Sequence, residues 1–262
     1  MNRVVKARVR SAFSRGASAY DGSTAVQGLV RGRVLALVKA AAPRARDLLD
    51  VGAGTGRLVA DLLATRPGLH ATAVDLAPGM CAAARAAAPT ATVAAADAEA
   101  LPFPDARFDL VVSSSAFQWL PRLEPALREC ARVLRPDGRL VLALFAERTL
   151  GELRDAWRAA AGPDASGRLH RFFTSGDVAA ALSSSGFAEV RLEEAIHVEH
   201  HADPVALLRS LKRIGAQGAT PGAGGLGGRR ATLDMLGRYQ ASHGGLEGVP
   251  ATWHVVYAVA SR

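Results

Sequence analysis

The residues with the clearest chemical potential stand together at Leu49-Asp50-Val51-Gly52-Ala53-Gly54-Thr55-Gly56, a short apolar run that ends in alternate glycines. When such a run enters a turn and a helix follows, here Arg57–Ala64, the glycines let the backbone lie against a ligand. They also adopt φ values that side chains avoid. Two acidic positions extend the pattern. Asp75 closes the next apolar run, 19 residues after Gly56, where a carboxylate can accept hydrogen bonds from both hydroxyls of a ribose. Asp97, in Asp97-Ala98-Glu99, follows a third run and can face the amino group of an adenine. A dinucleotide fingerprint would need a glycine at position 57, which is Arg57, so NAD and FAD are disfavoured.

The elements that must hold these groups follow from periodicity. Val26, Val30, Val34, Leu37 and Val38 recur at helical spacing in 23–42, and the helix ends before Pro43. Short apolar runs at 47–51, 69–74, 92–96, 108–113 and 139–145 read as strands, with helices at 57–64, 78–88 and 124–134 between them. Alternation of this kind predicts a parallel sheet covered by helices on both faces. After residue 147 the pattern loosens. Helices are expected at 150–161, 177–185, 204–213 and 229–241, strands at 189–200 and 253–260, and a loop at 215–228, where seven of fourteen residues are glycine. The domain reading is a helical arm over 1–46, a main body over 47–203 and 250–262, and a helical insertion over 204–249.

At 262 residues the chain is long enough for one α/β domain with additions, and at 49% hydrophobic and 21% charged it reads as globular. No apolar window reaches the ~18 residues of a membrane span. Cys81 and Cys130 lack metal-site spacing and are too few for a disulfide framework, which points to free thiols and a cytoplasmic setting. His197, His200 and His201 lie on an expected strand that splits them between two faces, so no metal is expected. The net charge of +8 is uneven: residues 1–46 carry ten Lys/Arg against one acid, 47–208 fifteen against twenty-one, and 209–262 seven against two. If the two basic segments meet in space they form one surface for an acidic partner. Nucleic acid is not the expected partner, for no zinc finger or aromatic RNA-binding strand is visible.

On the Gly52–Gly56 turn, Asp75, Asp97-Ala98, Leu101-Pro102-Phe103, Phe108-Asp109-Leu110-Val111 and Arg132–Gly138, the chain resembles the class I S-adenosylmethionine-dependent methyltransferases, with their Rossmann-like, mostly parallel seven-stranded sheet. A finer resemblance, to the malonyl-[acyl-carrier protein] O-methyltransferases of biotin synthesis (BioC type), covers nearly the whole chain. It rests on Ala12-Phe13…Tyr20-Asp21…Gln27, Gln118-Trp119, Thr149-Leu150…Trp157, Ser210–Ala216 and, more weakly, Pro250–Trp253. Because this pattern begins near Arg8, no cleaved transit peptide is expected.

The resemblance implies that S-adenosyl-L-methionine is held by Tyr20, Gly52, Ala53, Gly54, Gly56, Asp75, Leu76, Asp97, Ala98 and Ser113. It implies an acceptor site at Gln118, Trp119, Arg171 and Lys212, and a malonyl-loaded acyl carrier protein as partner. Lys212 is the preferred cation for the malonyl carboxylate, with Arg171 next, and Tyr20 is expected to close over the sulfonium. A carboxylate attacking a sulfonium methyl is already ionised at neutral pH, so no general base, triad or metal is needed. The rival readings are a methyltransferase of the same fold acting on a quinone or polyketide precursor, and a non-catalytic binding protein.

Overall fold

The computed structural model describes residues 5–20, 25–162, 170–213 and 228–262. Asp21, Ile214-Gly215-Ala216 and most of the glycine-rich loop, up to Gly227, lie outside the described residues.

Two helices open the chain, α1 (Lys6–Tyr20) and α2 (Ala25–Ala41). The four valines of α2 at 26, 30, 34 and 38 fall on one face at intervals of four and are fully buried. There follow β1 (Asp47–Val51), α3 (Arg57–Thr65), β2 (His70–Asp75), α4 (Pro78–Ala87), β3 (Thr92–Ala95), β4 (Phe108–Ser114), α5 (Glu124–Val133) and β5 (Leu134–Phe145). The chain closes with α6 (Gly151–Ala161), α7 (Ser175–Ser183), β6 (Val190–His201), α8 (Pro204–Arg213), α9 (Gly228–His243) and β7 (Val249–Ser261). The fifth strand starts earlier than its apolar run suggests, because Leu134 already pairs with Phe108 before the ladder resumes at Arg139 opposite Leu110.

The seven strands form one sheet in the order β3-β2-β1-β4-β5-β7-β6. β1 to β5 are parallel, and β7 runs antiparallel to both β5 and β6. Two packed layers cover the sheet. One joins α2, α3 and the later helices α6, α8 and α9, through Trp157, Leu207, Met235 and Tyr239. The other gathers α5 and α7 around Leu127, Cys130, Val178 and Leu182. The helices α8 and α9 thus share the core of the main body. Among the described residues no helix is long and apolar enough to cross a membrane.

The order of the strands positions the site. β1 is flanked by β2 on one side and β4 on the other, so successive connections diverge at their carboxyl ends. A crevice opens where the loops part, and ligands of open parallel sheets bind there.

Candidate functional site

A cavity of about 1190 Å³, its open mouth included, occupies this crevice. Asp50 to Thr55 line its floor, Asp75 and Leu76 one wall, and Asp97 with Ala98 one end. Ser114, Ser115, Phe117, Trp119 and Leu120 form the opposite wall, and α1 and α2 roof it with Lys6, Val9, Phe13, Tyr20, Gln27 and Arg31.

Gly54 sits at φ +55°, and a Cβ on it would meet no protein atom within 4 Å, so its backbone faces open space. Its N–H donates to Asp75 Oδ2 at 2.9 Å, while Asp75 Oδ1 accepts from the N–H of Ala77 at 2.8 Å. Each carboxylate oxygen keeps a lone pair for a further donor. Burial raises the Asp75 pKa, and these two N–H groups pull it back. Asp50 is buried with its carboxyl on the cavity floor, and burial together with the charge of Asp75 pushes its pKa up to about 8. Gly56 does not line the cavity. A Cβ there would lie 2.8 Å from Ala84 Cα, so the glycine is required for α3 to pack on α4.

At the opposite end, Asp97 Oδ1 accepts from the N–H of Glu99 at 3.0 Å, and Lys6 Nζ reaches Asp97 at 2.7 Å and Glu99 at 2.6 Å. The far wall is aromatic. The Phe13 ring stands 5.6 Å from that of Trp119 and 6.1 Å from that of Tyr20, both edge-on, and His170 packs behind Trp119 at 4.5 Å. A carbonyl can only accept, so the contact of His170 Nε2 with Gln118 O at 2.8 Å places a proton on Nε2. Burial pushes the His170 pKa down to about 4, leaving the ring neutral at pH 7. Tyr20 Oη accepts from Gln27 Nε2 at 3.0 Å.

Several expected site residues lie elsewhere. Ser113 is fully buried outside the cavity lining, with its hydroxyl lacking a hydrogen-bond partner. Ser114 and Ser115 reach the cavity instead. Gln118 is buried behind the lining, with Nε2 donating to the carbonyl of Ser115 at 2.8 Å. Arg171 and Lys212 are exposed and outside the lining. The cations that do line the cavity are Lys6, Arg31 and Arg57, with Arg31 held by Asp61 at 2.8 Å. Trp157 is a core residue. No group of three metal-ligating side chains occurs among the described residues.

The sequence pattern of a methyltransferase domain family matches residues 49–142. Over 262 aligned residues the chain is 47% identical to the malonyl-[acyl-carrier protein] O-methyltransferase of Geobacter sulfurreducens, covering 97% of this chain and 98% of that protein. The chain belongs to the malonyl-[acyl-carrier protein] O-methyltransferase family. The enzyme of that name from Methylococcus capsulatus is 39% identical over 211 residues, 79% of this chain and 76% of that one. Among solved structures, the YcgJ protein of Bacillus subtilis shares the fold at a TM-score of 0.62 and 20% identity, over 88% of this chain and 98% of its own.

This O-methyltransferase uses S-adenosyl-L-methionine, and the cavity fits that molecule on its own terms. Open space at Gly54 receives a chain laid along the loop, Asp75 keeps acceptor capacity for a diol, and a buried carboxyl at Asp50 awaits a cation. Asp50 has no role in the sequence pattern set out above, although a carboxylate inside the apolar run Leu48–Val51 is a signal for one. Lys6 carries no signal in the sequence, and at 170–171 it is the half-buried His170, and not the exposed Arg171, that packs on the aromatic wall.

Proposed function

We propose that this chain transfers the methyl group of S-adenosyl-L-methionine to the free carboxyl of malonyl-acyl carrier protein, giving the methyl ester that primes pimeloyl synthesis for biotin. The observation that carries this reading is the 47% identity over 97% of the chain, a span that reaches into both the arm and the insertion.

S-adenosylmethionine supplies an electrophilic methyl on a sulfonium. Asp75 takes the ribose hydroxyls, Asp97 with Ala98 and Leu76 the adenine side, and Gly52, Ala53 and Gly54 the methionine chain, whose ammonium lies toward Asp50. Phe13, Tyr20 and Trp119 form a dry wall beside the methyl. Excluding water there leaves the acceptor carboxylate unhydrated and reactive. The carboxylate is its own ionised nucleophile, so the neutral His170 has no proton to take; it braces Trp119. An entering anion meets Arg31 and Arg57 on the lining, and not Lys212.

The partner is an acidic carrier protein that docks outside the cavity. α1 and α8 pack together, with Gly16 close to the backbone of Arg213, so Arg8 and Arg15, which share a face of α1, join Arg209, Lys212 and Arg213 in one exposed basic surface, and Arg10 is exposed on the other side of α1. Residues 1–46 act as an arm, 47–203 with 250–262 as the catalytic body, and 204–249 as an insertion. The buried free thiols of Cys81 and Cys130 support a cytoplasmic setting.

Transfer of labelled methyl to purified malonyl carrier protein tests the reading. Malonyl carrier should be labelled and acetyl carrier, which has no carboxylate nucleophile, should not. Equal labelling of both, or of neither, would remove the assignment.

A further inference from the structure

α1 lies across the cavity as a strap. Its middle is seated on α4, where Gly79 leaves room: a Cβ there would lie 2.4 Å from the carbonyl oxygen of Ser14, and the Gly79 N–H donates to Ser14 Oγ at 3.3 Å. Its first turn is held by charge, through the contacts of Lys6 with Asp97 and Glu99. The three side chains are 30%, 35% and 22% exposed, so this ionic cluster is largely withdrawn from water. The second oxygen of Glu99, Oε1, is buried and has no hydrogen-bond partner. Burial works against the charge on Lys6, but its hydrogen bonds to Asp97 and Glu99 prevail and hold its pKa above the ordinary lysine value.

We propose that Lys6 is a positioning residue of the cofactor site: it orients the carboxylates of Asp97 and Glu99 and latches the arm over the adenine end of the cavity. The inference rests on the placement of the adenine beside Asp97. Two carboxylates two residues apart repel one another, and one ammonium with three donors can hold both. Asp97 is then tied at Oδ1 by Glu99 N–H and at Oδ2 by Lys6, which fixes the direction of its remaining lone pairs. Because the same helix carries Lys6 and roofs the cavity, lifting α1 to release a bound nucleoside breaks both ion pairs. Lys6 therefore sets how long the cofactor and its demethylated product stay bound.

The test is binding of S-adenosyl-L-homocysteine to the full-length protein, by calorimetry and by stopped-flow release. Lys6→Met should weaken binding about tenfold, chiefly through faster release, because it deletes two charge-assisted hydrogen bonds. Lys6→Arg restores both contacts and should recover most of the loss. In turnover, the Met variant should raise KM for S-adenosylmethionine by a larger factor than it lowers kcat. Should Lys6→Met fold poorly, Glu99→Gln provides the second variant: it removes one of the two ion pairs at nearly constant side-chain shape and should also speed release, by less than Lys6→Met would. Undiminished affinity in the Met variant, an Arg variant as weak as Met, or release unchanged in the Gln variant would each overturn the inference. Failure of the unmodified protein to bind S-adenosylhomocysteine at all would instead overturn the reading of the cavity.

Discussion

The floor of the cavity and its far wall are built in opposite ways. The floor is carboxylate and backbone: Asp50, Asp75 and Asp97 stand at or just beyond the ends of β1, β2 and β3, and Asp75 is clamped by the N–H groups of Gly54 and Ala77. The far wall is ring against ring, with Phe13, Tyr20 and Trp119 drawn from α1 and the 117–119 turn, and His170 packed behind. A nucleoside needs directional acceptors fixed beforehand, whereas a carboxylate that must attack a methyl group needs a place without water. Each side of the cavity supplies one of these and little of the other.

If that division holds, the largest effects come from the floor. Asp75→Ala should weaken S-adenosylmethionine binding by ~1.5–3 kcal/mol by calorimetry, through loss of a charged acceptor. It should also lower the melting temperature, because the N–H groups of Gly54 and Ala77 lose their acceptor. Unchanged affinity would remove Asp75 from the site.

Asp50 makes the floor sensitive to pH. Its carboxyl in the ligand-free fold titrates at about 8, far above the ~3.9 of an unfolded aspartate, so between these values the folded chain holds the extra proton. This stabilising contribution is complete below about pH 4 and is lost as pH rises through 8. A cation bound beside Asp50 prefers it ionised, so cofactor affinity should climb with pH up to about 8, with proton release on binding below that. Asp50→Asn should abolish the proton release, weaken binding, and make the ligand-free protein ~1–2 kcal/mol more stable at pH 8. Titrations in buffers of different ionisation enthalpy would show the release, and an unchanged release in the Asn variant would assign it to another group.

The wall should answer differently. Trp119→Ala should cost ~1–2 kcal/mol in kcat/KM for malonyl carrier protein while leaving S-adenosylhomocysteine affinity near its normal value. An equal loss of cofactor binding would mean that the two sides are not separable.

The same contrast explains what could be read from the chain. Gly52, Gly54, Asp75 and Asp97 sit at or just beyond the ends of successive strands of one sheet, where spacing along the sequence fixes spacing in space. Seven strands and their alternation with helices were legible for the same reason, since period and turn chemistry are local. Gly56 and Ser113 were misplaced because one residue decides whether a side chain faces a cavity or a neighbouring helix. The wall depends on contacts between residues far apart in sequence, such as Phe13 with Trp119 and Lys6 with Asp97, and no local pattern encodes those.

The smallest effects should come from outside the cavity, on the basic face of α1 and α8. Reversing Arg8, Arg10 and Arg15 to Glu should raise KM for malonyl carrier protein roughly tenfold, and added salt should raise it for the unmodified enzyme, because the charges act by steering and docking. Lys212 belongs to this face. As the cation facing the malonyl carboxylate it would be indispensable, but it is exposed at the last turn of α8 and absent from the cavity lining. An exposed lysine in a field of like charges is one contributor among several, so Lys212→Met should raise KM for malonyl carrier by no more than about twofold and leave kcat alone. A large fall in kcat in that variant, with S-adenosylhomocysteine binding intact, would bring Lys212 back to the acceptor and require α8 to move toward the cavity during turnover.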